Sequence, residues 1–188
     1  MEAYAIRTYG DPVLRSTAKD IVNIDSKLEA VCNQMFEAMI SAQGIGLAAP
    51  QVGIQQRFFV YDTEGVNDLE NSVGTVRRGV SRKASNAASE PRIGVLINPV
   101  ISETEGEWAY EEACLSVPGL SWDIIRPKTI HVSGYDIDGN EVSLEADELF
   151  SRLIQHEIDH LDGVLLVDRL DAETRKACLL YTSPSPRD

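Results

Sequence analysis

Histidine and cysteine are both scarce in this chain, with three of each among 188 residues. Three cysteines make no disulfide framework, and their rarity suits a reducing compartment. Cations are also in deficit: 17 Lys and Arg stand against 30 Asp and Glu, a formal net charge of -13. That balance excludes a general DNA or RNA binder, because phosphate contacts need clustered basic side chains. The acidity is read as a solvated surface. No stretch approaches the roughly 18 apolar residues that a membrane span requires. The first residues lack both a signal-peptide core and the Arg- and Ser-rich pattern of a transit peptide. A cytoplasmic protein with no membrane partner is the expectation. The hydrophobic fraction of 43% and charged fraction of 25% are those of an ordinary globule large enough for a core without disulfides.

Two of the three histidines lie within one pentapeptide, His156-Glu157-Ile158-Asp159-His160. On a helix, positions i and i+4 share a face, so both imidazoles can reach one ion. Glu157 lies roughly 100° further round the helix. There it can serve as general base for a water near the metal without being a ligand. A surface helix that carries two histidines by chance is the competing reading. The rarity of histidine and the apolar stripe Leu149, Leu153 and Ile154 favour the metal site.

Periodicity places the other elements. A helix is expected over Ser26–Ser41, with Ser26 and Glu29 as a capping box and Gly44 as the stop. Residues 57–61 read as a strand, as do 93–101 and 105–111. Residues 128–135 alternate and turn at Asp138-Gly139 into a hairpin partner at 141–144. Residues 146–160 form the expected metal helix, and 168–177 begin another. Residues 63–91 are polar, without sustained periodicity, and read as a long surface loop. Its cluster Arg77, Arg78, Arg82 and Lys83 is taken as solvated rather than as a contact with ribosomal RNA. The pattern as a whole predicts an α+β fold, with mixed or antiparallel sheets in one domain over residues 1–177.

The last eleven residues, Cys-Leu-Leu-Tyr-Thr-Ser-Pro-Ser-Pro-Arg-Asp from Cys178 to Asp188, read as a translated sequencing adapter of the transposon-tagmentation type. The alternative is a genuine Pro- and Ser-rich tail. The natural chain is expected to continue differently after about Ala177, and Cys178 is set aside with the tail.

Two further stretches are unusual. Gly44-Ile45-Gly46-Leu47-Ala48-Ala49-Pro50-Gln51 combines glycines that permit close approach with a glutamine amide that can donate a hydrogen bond. No Lys follows, so a phosphate-cradling loop is a poor fit. The other is Glu111-Glu112-Ala113-Cys114-Leu115-Ser116-Val117-Pro118-Gly119. A lone Cys there is usually a buried structural thiol. A two-histidine site needs a third ligand, however, and Cys114 is a candidate beside Asp168 and Asp171. Cys32 sits in an amphipathic helical pattern and reads as core.

Taken together, these stretches resemble the peptide deformylase family. Its signatures Gly-x-Gly-Leu-Ala-Ala-x-Gln, Glu-Gly-Cys-Leu-Ser and Gln-His-Glu-x-Asp-His-Leu-x-Gly appear here in order, at residues 44–51, 112–116 and 155–163. Gly10 to Arg15, Ile97-Asn98-Pro99 and Arg126-Pro127 match as well, so the resemblance spans about residues 5–170. It implies a fold of mixed or antiparallel sheets around a central metal-binding helix. It makes Cys114, His156 and His160 the metal ligands and Glu157 the general base. The Gln51 amide and the Leu115 N–H become oxyanion donors, and Ile45, Gly46 and Ala113 line the substrate backbone. Glu112 and Arg126 become a buried pair positioning the Cys114 segment. The implied reaction is hydrolysis of the formyl group from N-formylmethionyl nascent peptides, at the ribosome, by a monomer. A thiolate in the donor set makes iron(II) acceptable beside zinc(II) or nickel(II). Two departures stand out: Ala113 replaces the family's glycine, and residues 119–122 hold no arginine where some relatives contact substrate. A zinc-dependent endopeptidase and a non-catalytic, ribosome-associated metal-binding module are the competing readings. The presence of both Glu157 and Gln51 disfavours the second.

Overall fold

The computed structural model describes residues 4–62, 65 and 93–182. The expected loop at 63–91, with its basic cluster, lies outside the described residues apart from residue 65, as do residues 183–188.

Helix α1 spans Ser26–Ser41 as the periodicity requires. Its cap is Asp25 rather than Ser26: the Asp25 carboxylate accepts from the N–H groups of Lys27 and Leu28, both at 3.0 Å. The helix stops before Gly44, because Gln43 takes the left-handed turn at φ 58° and the Gly44 N–H closes on Met39 O at 2.9 Å. Strand β1 (Gly46–Ala48) follows, then a 3-10 turn at Ala49–Val52 and strand β2 (Phe58–Asp62).

Strand β3 runs over Ile93–Glu105, four residues past its expected end. Irregularities between Ile97 and Val100 and between Ile101 and Glu103 break its alternation, which hid the second half from a period-2 reading. Strand β4 is therefore Trp108–Ala113, and it pairs with β5 (Ser121–Arg126), a strand the sequence reading did not find. The hairpin of β6 (Thr129–Tyr135) and β7 (Glu141–Asp147) turns at Asp138-Gly139 as expected, with Gly139 at φ 82°.

Helix α2 covers Glu148–Leu161, starting two residues later than the apolar pattern indicated. Ala146 and Asp147 are held in β7 by pairing with Ile130 and Thr129, and the Asp147 carboxylate caps the helix. The expected final helix divides into a 3-10 turn at Leu166–Arg169 and helix α3 at Ala172–Thr182.

The strands form an antiparallel five-stranded sheet in the order β1-β2-β3-β6-β7, plus the separate β4-β5 pair. Strand β2 is buried on both faces. Phe58 and Val60 pack with Leu28, Met35 and Met39 of α1, while Phe59 packs with Leu153, Ile154 and Leu161 of α2. Two helices on opposite faces of one sheet leave α2 in the interior, so most of its polar residues are buried too. Each needs a partner there; Gln155, for one, donates to Pro127 O at 2.9 Å and to Ser151 Oγ at 2.9 Å. A third cluster joins Leu14, Cys114, Val117, Ile124, Leu165 and Cys178 beneath the β4-β5 pair.

Candidate active site

His156 and His160 stand one turn apart on α2, with ring centroids 4.9 Å apart and edges nearly perpendicular to faces. Cys114 comes from the other side, immediately after β4, where a turn closes from Val117 N–H to Cys114 O at 2.9 Å. Its sulfur lies 3.2 Å from His160 Nε2. Single ligand atoms of Cys114, His156 and His160 all fall within 4.8 Å of one another, and no other such group occurs among the described residues.

The alternatives for a third ligand lie elsewhere. Cys32 packs in the α1 core. Asp168 is bonded to Arg15 and the Leu165 N–H, and Asp171 accepts from the Glu173 and Thr174 N–H groups.

The carboxylate of Glu112 organises the surroundings. It accepts from Arg126 Nε at 2.8 Å, Arg126 Nη2 at 2.6 Å and Arg152 Nη1 at 2.8 Å, and it bonds His156 Nδ1 at 2.6 Å. Burial alone would raise its pKa, but the hydrogen bonds from Arg126 and His156 and their charges hold it well below the usual carboxylate range. An ionised partner on Nδ1 turns Nε2 of His156 toward the metal position. Arg126 also donates to Asp159 Oδ2 at 2.9 Å, which joins β5 to α2.

The sequence reading paired Glu112 with Arg126 but missed Arg152 and Asp159. A signal for Arg152 existed, since it precedes His156 by four residues and so shares its face.

Glu157 is buried, and its Oε2 has no hydrogen-bond partner. Burial, with the Glu112 charge adding to it, outweighs the His156 charge and raises the Glu157 carboxyl to about 7. A carboxyl poised near neutrality can both take and return a proton. Burial would lower the His156 pKa, but the Cys114 charge and hydrogen bonds to Cys114 and Glu112 drive it well up. Burial, then the charges of His156 and Arg126, drive His160 well down.

Gln51, in the 3-10 turn after β1, is oriented by its own loop. Its Oε1 accepts from Ala48 N–H at 2.8 Å, which leaves Nε2 facing Ser116 Oγ at 3.1 Å and Cys114 Sγ at 3.9 Å. Gly46 needs to be glycine for a specific reason: a Cβ there would lie 2.4 Å from Glu157 Oε1. Ala113 sits in the extended backbone of β4, outside the positive-φ residues, so the methyl in place of a glycine is accommodated.

Cys114, His156, Glu157, Gln51 and Glu112 border one cleft of about 620 Å³, whose walls include Ile45, Gly46, Leu115, Leu120, Tyr110 and Leu149. That volume suits a peptide-sized ligand.

The donor set fits a divalent ion. One sulfur and two imidazole nitrogens converge, Glu157 Oε2 is buried without a partner, and Glu112 orients one imidazole from behind. Three protein donors beside a protonatable carboxyl, at the base of a peptide-sized cleft in an α+β fold, define the class as a metal-dependent hydrolase.

Comparison with known proteins makes the assignment particular. The family described as polypeptide deformylase matches residues 3–176. A peptide deformylase of Acidothermus cellulolyticus is 38% identical over 179 residues, 95% of this chain and 85% of that protein. Among solved structures, a peptide deformylase from Thermotoga maritima aligns at TM-score 0.74 and 38% identity, over 91% of this chain and 99% of that one. One from Synechococcus elongatus, in complex with actinonin, aligns at 0.77 and 36%, over 98% and 88%. The chain belongs to the polypeptide deformylase family.

Proposed function

We propose that this protein removes the formyl group from N-formylmethionine at the N-terminus of newly made chains, releasing formate. The observation that carries the reading is the convergence of Cys114, His156 and His160 where Cys114 and His156 line one cleft with Glu157 and Gln51. Cys114, His156 and His160 hold a single divalent metal, with iron(II) the working ion and zinc(II) or nickel(II) able to replace it. When bound, that metal supplies Lewis-acid polarisation of the formyl carbonyl and makes a water easier to deprotonate.

The chain's own residues do the rest. Glu157 accepts the water's proton at its carboxylate and delivers it to the departing amine nitrogen. Its raised pKa and unpartnered Oε2 support that exchange. The Nε2 of Gln51 and the Leu115 N–H donate to the oxygen that gains charge as the carbonyl is attacked. Ile45, Gly46 and Ala113 guide the substrate backbone along the cleft, and Glu112 with Arg126 keeps the Cys114 segment in place.

We read the protein as one domain over residues 1–177, a cytoplasmic monomer that meets nascent chains at the ribosome. No helix among the described residues is long and apolar enough to cross a membrane.

The test is formate release from formyl-Met-Ala-Ser by anaerobically purified protein, alongside its metal content. Stoichiometric metal without formate release would overturn the reading. Cleavage of an internally quenched peptide instead would point to an endopeptidase.

A further inference from the structure

The β4-β5 pair carries Cys114 but shares no ladder with the five-stranded sheet, whereas both imidazoles belong to α2 in the core. Backbone hydrogen bonding between strands therefore does not fix the Cys114 sulfur relative to the imidazoles. The N-terminal segment ties them indirectly, through Tyr9 N–H to Ser116 O and Ala18 N–H to Leu161 O, both at 2.8 Å, and the direct links are side chains.

Arg152 is one of two α2 residues that bond β4 side chains directly, the other being the ligand candidate His156, whose Nδ1 meets Glu112 Oε1 at 2.6 Å. Arg152 is buried, stands one turn before His156, and grips β4 near both ends. Its Nη2 donates to Trp108 O at 2.7 Å, at the first residue of the strand. Its Nη1 donates to Glu112 Oε2 at 2.8 Å, two residues before Cys114. Between these anchors the guanidinium lies 5.2 Å from the Trp108 ring centroid and 5.8 Å from that of Tyr110. The two rings stack on each other at 4.7 Å. A planar fork that bonds a carboxylate, a carbonyl and an aromatic pair at once is a task for arginine rather than lysine.

A further tie, Arg126, belongs to the hairpin itself and reaches α2 through Asp159. Glu112 bonds His156 Nδ1 with the same carboxylate that Arg152 grips, so strand and ligand ring are fixed by one group.

We propose that Arg152 is a positioning residue of the metal centre: it clamps β4 onto α2 and so presets Cys114 against His156 and His160 before the metal arrives. This rests on Cys114, His156 and His160 being the metal ligands. It does not depend on which amide bond the enzyme cleaves. Preorganised donors bind tighter because less ordering remains to be done on binding.

The test compares full-length wild type with Arg152→Met and Arg152→Lys in two measurements. The first is zinc(II) affinity by competition with a chromogenic chelator. The second is the rate at which Cys114 in metal-free protein reacts with a thiol reagent, with a Cys114→Ser variant subtracting the other two cysteines. In Arg152→Met, zinc affinity falls roughly 10–100-fold, the range for loss of a group that orients a ligand. Cys114 also reacts faster in that variant. Arg152→Lys lies between, since an ammonium reaches Glu112 but cannot also serve Trp108 O and the rings.

Wild-type zinc affinity and thiol reactivity in folded Arg152→Met would overturn the proposal. Should that variant not fold, the same wild-type values in Arg152→Lys would overturn it. Wild-type protein that binds zinc through Cys114 yet releases no formate would sink the deformylase reading and leave the clamp standing.

Discussion

Gly46→Ala is the sharpest probe of the proposed reaction, because its methyl group meets one atom that matters. The added Cβ would sit 2.4 Å from Glu157 Oε1, 3.0 Å from Cδ and 3.3 Å from Cγ. Ordinary contact begins at 3.4 Å, so the carboxylate must retreat by about 1.0 Å. Glu157 is buried on the central helix, so the shift must be taken up inside the site rather than in solvent. Displacement of a catalytic group by about 1 Å costs on the order of 10²-fold in rate. That corresponds to roughly 2.7 kcal/mol on the barrier. Gly46 does not have a positive φ, so the substitution adds no backbone strain. Steady-state kinetics on formyl-Met-Ala-Ser should show the loss chiefly in kcat, with metal content unchanged, since Cys114, His156 and His160 are untouched. A variant with full metal and a wild-type kcat would refute the placement of Glu157 as the proton carrier.

The remaining predictions use the same site and its margins. Glu112→Ala strips a carboxylate from Arg126, Arg152 and His156 in the interior. It should cost about 3–5 kcal/mol of stability, as breaking buried ion pairs does. At about 2–4 °C per kcal/mol for a chain of this size, the melting temperature falls by roughly 6–20 °C. Unaltered melting and metal affinity would count against the network. Glu157→Ala should keep its metal and lose about 10²–10⁴-fold in formate release, the usual share of a general acid–base group. Cys114→Ala should instead lose the metal, and normal metal content by elemental analysis would place the third ligand elsewhere. Asp168→Asn tests the C-terminal margin. Burial would raise the Asp168 pKa, but the hydrogen bonds from Arg15 and Leu165 N–H and the charges of Arg15 and Arg175 lower it. A depressed carboxyl stabilises the fold above its ordinary pKa, and that contribution fades as pH falls through the depressed value. The variant should therefore melt lower at neutral pH and show a flatter acid limb. An unchanged acid limb would refute the linkage.

Some elements were legible because their cause is local. The Ser26–Ser41 helix follows from apolar spacing, and the 129–147 hairpin from alternation around Asp138-Gly139. Strand β5 was missed because its partner, β4, is what makes it a strand: Trp122, Ile124 and Arg126 face inward only opposite Glu112, Tyr110 and Trp108. The start of α2 was misplaced for a related reason. Ala146 continues the apolar helical pattern, yet its pairing with Ile130 holds it in β7. The far half of β3 was lost where its two irregularities reset the alternation.

At the site the division is similar. Two imidazoles at i and i+4, with Glu157 between them, are a property of helical spacing, so the sequence alone determines that they share a helix and nearly a face. The identities of the glutamine, the cysteine and the small residues of 44–49 are likewise written in the chain. Only the tertiary structure decides that Cys114 reaches His160, that Arg152 joins Arg126 on Glu112, and that Glu157 is buried enough to hold its proton near neutrality. Those outcomes depend on how a separate two-stranded sheet docks on a core helix. Docking is fixed by contacts between residues tens of positions apart, and no local periodicity encodes them.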